Sequence, residues 1–247
     1  MPPTDAPALQ LPQLGLREDD ALRLGRLLCQ SQGLVLIGGP RGSGVSTSLA
    51  AMRGWMLAQS AGTALPMLLL EPGHSPAALR QAVACIPQGC RVLAGAHLAR
   101  AAHAFAHCRD HGVPLDAVSR HVLLVMAQRL LPRLCRFCRR PDDSAELRAA
   151  LARAGNSWLA GTPIAAAQAH RPGCSRCQGG VAGCVLIYEW LPADAGVRAM
   201  IEANAIGLDL EQALFADGRS LWDDGLRQLA CGQVSLAHLR QALREPA

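Results

Sequence analysis

The sequence predicts an α/β fold: a parallel sheet covered by helices on both faces, followed by a smaller, metal-stapled and mostly helical region. Three observations carry this expectation. Apolar runs of strand length alternate with helix-length stretches from the start of the chain to about residue 131. A glycine-rich loop, Gly39-Pro40-Arg41-Gly42-Ser43-Gly44-Val45-Ser46-Thr47, lies between one apolar run and a helix-like stretch. Two C-x-x-C pairs, Cys135/Cys138 and Cys174/Cys177, follow with 35 residues between them.

The elements are justified in chain order. Leu14 to Gln30 reads as a helix with Asp19 and Asp20 early in it. Leu34-Val35-Leu36-Ile37 is a strand leading into the glycine loop, and a helix runs from about Ser46 to Ala58. Leu65 to Glu71 is a short apolar run ended by Pro72-Gly73, the mark of a buried parallel strand. Ser75-Pro76 opens a helix over Ala77 to Cys85, with proline in its first turn. Arg91 to Ala96 is a third strand, and helices are expected around Ala99–Asp110 and Leu115–Leu131. From Cys135 the character changes. The cysteine pairs bracket an Ala-rich insert, Asp143 to Leu159, and a strand-like run, Val185 to Glu189, follows. Val197 to Leu243 reads as small helices. The division expected is residues 1–132 for the α/β domain and 133–247 for the cysteine-bearing subdomain.

The glycine loop has the strand–loop–helix context of a phosphate-binding P-loop. Glycines let backbone N–H groups curl around phosphate oxygens, and the helix N-terminus adds a positive dipole. The lysine that normally reaches the outer phosphates is Val45 here, and no other lysine can stand in, because the sequence contains none. Losing it removes one or more charge-assisted hydrogen bonds of about 1.5–3 kcal/mol each. It also removes charge stabilisation of the kind that dominates phosphoryl transfer. Ser46 and Thr47 keep hydroxyls suited to Mg²⁺, or serve as helix-start residues. Arg41 either swings inward in place of the lysine or faces outward. Glu71 is a candidate water-activating carboxylate or an exposed acid at a strand end, and His97 is a candidate phosphate sensor. The arginines Arg129, Arg133, Arg136, Arg139 and Arg140 recur at roughly helical spacing. They form either a solvated face or a contact for an acidic neighbouring subunit.

The paired C-x-x-C knuckles suit structural, tetrahedral Zn²⁺ on Cys135, Cys138, Cys174 and Cys177. Reduced thiols without metal and a redox C-x-x-C are the other readings. Gly173, Gly179 and Gly180 permit tight turns around the second knuckle. Cys29, Cys85, Cys90, Cys108, Cys184 and Cys231 have no paired spacing and read as small buried hydrophobes. The net charge of +5 is modest and aromatics are 3% of the chain. Few rings are available to stack on bases, so no nucleic-acid partner is expected. The N-terminus has no basic segment followed by an apolar one, and no apolar run approaches the roughly 18 residues of a membrane span. A cytoplasmic location is expected, with ten cysteines serving a metal site and buried thiols rather than disulfides.

These residues together resemble the C-terminal ATPase domain of the type II secretion and type IV pilus assembly ATPases. The likeness runs from Leu14-Gly15-Leu16 through Gly33-Leu34-Val35-Leu36 into the P-loop. It continues through Gly89 and Val92-Leu93 to His97, the end of the family's histidine box. Gly112-Val113, Ala127-Gln128-Arg129-Leu130 and Leu134-Cys135 are similar to the family's helix running into the first zinc knuckle. Gly173-Cys174 with Cys177, Gly180, Gly183 and Ile187-Tyr188-Glu189 is similar to the second knuckle and its exit strand. Leu221-Trp222-Asp223-Asp224-Gly225-Leu226 with Cys231-Gly232 is similar to the C-terminal helices. The resemblance implies a RecA-like P-loop NTPase core, structural zinc, and ATP with Mg²⁺ held weakly through the loop. It implies partners among secretion or pilus motor ATPases and platform proteins, and residence at the inner face of the inner membrane through those partners.

Departures from the family pattern set the functional expectation. Besides Val45, the stretch between the P-loop helix and His97 is shortened, Leu98-Ala99 replace polar residues, and Cys184 replaces an arginine. Glu71 descends from either the family's acidic box or its Walker B strand. Nothing in the sequence matches the family's N-terminal domains. The expectation is a degenerate homologue that acts through protein contacts. The alternatives are a divergent but active ATPase and a decaying paralogue.

Overall fold

The structure is a computed structural model, and it describes residues 11–30, 32–59, 66–153, 164–204, 210–212 and 220–243. The chain forms two compact units. One comprises Met1–Gln128 with Trp190–Ala213, and the other Arg129–Glu189 with Leu214–Ala247.

In the first unit a helix, α1 (Glu18–Leu28), precedes strand β1 (Gly33–Gly38), every residue of which is buried. The glycine loop follows, then α2 (Val45–Gln59). Strand β2 (Met67–Leu70) leads through a turn to α3 (Pro76–Cys85). As the sequence indicates, Ser75 caps α3, its Oγ accepting from the Ala78 N–H at 3.2 Å, and Pro76 opens it. Strand β3 (Arg91–Ala96) is followed by α4 (His103–Asp110) and α5 (Leu115–His121).

The next element corrects the sequence reading. Only the first seven residues of the expected Leu115–Leu131 helix are helical; Val122–Leu134 is a strand, β4. The run from Val122 to Gln128 is almost wholly buried, and it pairs in parallel with β1, as Leu36↔Val125 and Gly38↔Ala127. A strand buried on both faces loses the two-residue alternation that would announce it, and its apolar run looks the same as a buried helix. The five arginines therefore do not share a helix face. Arg129 and Arg133 lie on β4, Arg136 and Arg139 beside the first cysteine knuckle, and Arg140 on the short strand β5 (Arg140–Pro141).

The sheet order is β2-β3-β1-β4-β7, with β7 spanning Val181–Pro192. β1 pairs in parallel with β3 and β4, and β2 in parallel with β3. Of this first unit, α7 (Ala195–Glu202) is tied to α5: the Ser119 hydroxyl donates to Glu202 Oε1 at 2.9 Å, and Arg198 donates to the carbonyls of Ser119 and Val122.

The second unit contains α6 (Ala145–Arg153), β5 paired antiparallel with β6 (Ala167–Gln168), α8 (Leu221–Ala230) and α9 (Leu236–Leu243). Its core gathers Leu131, Ile187, Leu221, Leu226, Leu229 and Val234. Ser220 and Asp223 form a capping box that starts α8. Two buried carboxylates then join α8 to β7. Asp224 accepts the Tyr188 N–H at 3.2 Å and pairs with Arg227 at 3.1 Å, and Glu189, fully buried, accepts the Leu221 N–H at 3.3 Å. Such charges are tolerated in a core only because each is hydrogen-bonded. A Cβ at Gly225 would lie 2.2 Å from Leu239, so α8 and α9 pack through that glycine.

Candidate nucleotide loop and metal centre

The loop between β1 and α2 is shaped by its glycines. Gly42 and Gly44 adopt φ of 80° and 83°, the left-handed region open to glycine. Alternation of such residues is the conformation in which loop N–H groups make an anion-binding concavity. A Cβ at Gly39 would meet Ser43 Oγ at 2.1 Å and the Gln128 carbonyl at 2.8 Å, so this position has no room for a side chain.

Gln128, fully buried on β4, braces the loop. Its amide donates to the Ser43 carbonyl at 2.7 Å and accepts from Ser48 Oγ, in the first turn of α2, at 2.9 Å. One side chain thereby fixes both the loop and the start of its helix. The sequence reading matched Gln128 to a family motif without giving it this role. Its partners lie 85 and 80 residues away, and only a polar residue inside an otherwise apolar run hints at it.

A cavity of about 550 Å³ is lined by Gly39 to Thr47 together with Glu71, Pro72 and His97. The fold thus brings the two sequence-singled side chains, Glu71 at the end of β2 and His97 at the end of β3, to the loop's cavity. Both are exposed, as are Arg41, Ser46 and Thr47. Ser43 Oγ is buried without a protein partner, an orphaned hydroxyl inside the cradle. Val45, 5% exposed, begins α2 and presents an isopropyl group to this wall. The residues present therefore fit a phosphate group through backbone and hydroxyl, without a cation at the position where the loop normally supplies one.

The cysteines converge in the second unit. Sγ–Sγ distances are 3.8 Å for Cys135–Cys174, 3.6 Å for Cys138–Cys177 and 3.7 Å for Cys174–Cys177. All four sulfurs lie within 4.8 Å of one another. Tetrahedral ligands about 2.3 Å from a zinc ion stand about 3.8 Å apart, so the set fits a metal of that size and geometry. Each knuckle is a tight turn: the Arg139 N–H reaches the Cys135 carbonyl at 2.9 Å, and the Cys177 N–H reaches the Cys174 carbonyl at 3.1 Å. Gly173 (φ 76°) leaves no space for a Cβ, which would press on the Gly179 and Gly180 nitrogens and on Cys177 Sγ within 3.2 Å. The Cys174 N–H donates to Cys177 Sγ at 3.2 Å and is the chief cause that lowers the Cys177 thiol to about 7. Desolvation, then hydrogen bonds from the other thiols, pushes Cys138 up to about 12. Four crowded thiols cannot all ionise without a cation, and binding one releases protons. With four protein ligands no open position remains, so the site suits a staple rather than chemistry. Of the other six cysteines, Cys108 is buried, whereas Cys29, Cys184 and Cys231 are exposed and correct the expectation of buried thiols; Cys85 and Cys90 are half-buried.

The fold is shared with solved structures of ATPases and a pilus motor. The structure matches the Legionella pneumophila ATPase DotB with a TM-score of 0.61 and 12% identity, covering 94% of this chain and 64% of that one. It matches the pilus retraction motor PilT with bound ADP with a TM-score of 0.63 and 17% identity, covering 99% of this chain and 69% of that one. The model of the family described as type II/IV secretion system protein matches residues 3–62 and 76–244, and the chain belongs to that family. Among curated relatives, the type II secretion system protein HxcR of Pseudomonas aeruginosa is 28% identical over 280 residues, covering 96% of this chain and 54% of the relative. The protein transport protein HofB homolog of Escherichia coli is 27% identical, covering 97% of this chain and 58% of the relative. The chain spans about half the length of the curated relatives it matches. Among the described residues no helix is long and apolar enough to cross a membrane.

Proposed function

We propose that this chain is a secretion/pilus-ATPase homologue that has lost hydrolysis and acts through protein contacts with a type II secretion or type IV pilus apparatus. The observation that carries the reading is Val45 in a phosphate loop whose cavity otherwise retains its glycines, its hydroxyls, Glu71 and His97. Without the lysine the loop holds nucleotide weakly, through backbone N–H groups, Ser46 and Thr47, with Mg²⁺ at the hydroxyls. Glu71 and His97 remain beside it as relics of the hydrolytic set. Zinc on Cys135, Cys138, Cys174 and Cys177 staples the cysteine-bearing subdomain. The partners are a motor ATPase or platform protein, which hold the chain at the inner face of the inner membrane.

Support for the contact surface comes from the second unit. Arg133, Arg136, Arg139 and Arg176 line a cavity of about 520 Å³ with the exposed ring of Phe137, over which the Arg136 and Arg176 guanidinium groups lie at 4.6 and 4.3 Å. An arginine–aromatic surface without a lining carboxylate suits an acidic partner segment, since exposed charges mainly steer and orient.

The test has two arms. Purified protein is assayed for ATP turnover with Mg²⁺, and a full-length motor of the same cell is used as bait. Background turnover with retention on the motor, weakened by Arg136→Glu with Arg140→Glu and by salt, is the expected result. Turnover in the range of working motors overturns the reading in favour of an active ATPase. Neither turnover nor retention on motor or platform proteins supports the decaying-paralogue reading.

A further inference from the structure

The arginine-lined cavity of the second unit is built on the tips of the two cysteine knuckles. Arg136 and Phe137 are the residues between Cys135 and Cys138, and Arg176 lies between Cys174 and Cys177. The Arg136 and Arg176 guanidinium groups stand 4.6 and 4.3 Å from the centre of the Phe137 ring. The knuckles therefore meet twice. Their sulfurs converge on one side, and on the other a cation of the second knuckle lies over an aromatic ring of the first.

We propose that Arg136, Phe137 and Arg176 form a metal-gated clamp for a carboxylate-rich peptide segment that also carries an apolar side chain. The inference rests on the reading above, that this surface meets an acidic partner, and adds the ligand's chemistry and its control. Stacking on a ring uses the flat face of a guanidinium. The N–H fork at its edge is left for a carboxylate, which it grips through two parallel hydrogen bonds. Arg133, exposed on β4, adds a third cation, and no acid lines the cavity. Arg139 is committed elsewhere, its Nη1 donating to the Gly232 carbonyl at 2.6 Å. Three cations without a counter-charge select an anion. The Phe137 ring, 52% exposed in a cavity of about 520 Å³, selects one that brings an apolar group as well. An acidic peptide offers both on a chain narrow enough to enter. A bilayer surface offers anionic headgroups but stays outside a cavity.

The gate follows from what holds the knuckles together. The Cys135–Cys174 and Cys138–Cys177 sulfurs are in contact at 3.8 and 3.6 Å, and the Cys135 N–H donates to the Gly180 carbonyl at 2.8 Å. Thiols are weak donors and weak acceptors. At the tips, the two guanidinium groups over one ring repel each other. A metal ion on the four sulfurs fixes the knuckle spacing against that repulsion, and a carboxylate between the guanidinium groups relieves it. Metal and peptide thus favour the same arrangement, and each must strengthen the other's binding by the same factor.

The test uses the full chain, zinc-loaded or stripped by chelator, with a fluorescein-labelled hexapeptide of alternating glutamate and leucine followed by anisotropy. The expected result is salt-sensitive binding to the loaded chain that weakens about tenfold on stripping and returns with Zn²⁺. Competition with a chromophoric chelator should show zinc held about tenfold tighter when peptide saturates the chain. Phe137→Ala and Arg176→Glu, which spare the cysteines, should each weaken the peptide about tenfold in a chain that keeps its zinc, so lost binding is not lost folding. Arg53→Glu, the same charge change at an exposed position on α2, should leave binding unchanged. No peptide binding, binding indifferent to stripping, or binding indifferent to both tip variants overturns the proposal. Preference for phosphatidylglycerol–phosphatidylcholine vesicles over the peptide also overturns it and assigns the cluster to lipid. None of these outcomes touches retention on a motor, and loss of that retention with peptide binding intact counts against the reading above and not against the clamp.

Discussion

Gln128→Leu tests how the phosphate loop is held. The substitution keeps much of the volume and removes the amide. Two groups lose a partner: the Ser43 carbonyl, bonded at 2.7 Å, and the Ser48 hydroxyl, bonded at 2.9 Å. The carbonyl has no replacement donor from a leucine, and an unsatisfied buried acceptor costs about 1–3 kcal/mol. The hydroxyl has an escape, because a helical serine can turn back to the carbonyl four residues before it, here Gly44. Its loss is then close to the net worth of one hydrogen bond, about 1 kcal/mol. Together the change should cost about 2–4 kcal/mol. At about 3 °C per kcal/mol for a domain of this size, the melting midpoint of the first unit should fall by roughly 6–12 °C. Thermal unfolding followed by circular dichroism, with Ser48→Ala and the double variant alongside, measures both the cost and the coupling. The double variant should fall short of the sum of the singles by about 1 kcal/mol, since both report one bond. A loss under about 0.5 kcal/mol, or strict additivity, would refute the account of Gln128 as the brace of the loop.

Protein purified without chelator should carry near one equivalent of zinc attributable to the four knuckle cysteines, and Cys135→Ser should lower stability more than Cys29→Ser. Traces of metal with all four thiols freely titratable would count against this. Val45→Lys should not raise ATP turnover to the level of a working motor, because groups acting together in a transition state are not additive; full activity on that single change would show the remaining site to be intact. Burial, with the neighbouring His111 and His74, lowers the half-buried His107 from 6.5 to about 4. The unfolded chain then binds a proton between about pH 6.5 and 4 that the folded chain refuses, so stability should fall as pH drops through that window. At a half-exposed ring solvent screening reduces this contribution to on the order of 1 kcal/mol. Denaturant titrations at pH 7 and pH 4.5, without added metal, should show the difference shrink in His107→Gln, and an unchanged difference would assign it elsewhere.

The features that the sequence determined by itself are the local ones. The glycine loop could be read because a strand, left-handed glycines and a helix start lie within about a dozen consecutive residues, and their spacing is the geometry. The cysteine knuckles were legible for the same reason, each pair lying within a four-residue turn that can clamp one side of a metal. Strand β3 and helix α3 were placed with nearly their observed bounds, because β3 is short and compact and Ser75-Pro76 punctuates α3. Val122 to Leu134 was beyond such reading. Whether an unbroken apolar run becomes helix or strand depends on what lies beside it, and here β1 offers a ladder of backbone partners. That pairing also carries Gln128 under the phosphate loop, and the turn after β2 with the end of α4 brings three histidines from two segments into one cluster. Those contacts were left to the tertiary structure because side chains far apart in sequence become neighbours only when the sheet assembles, and no spacing along the chain records which strands will pair.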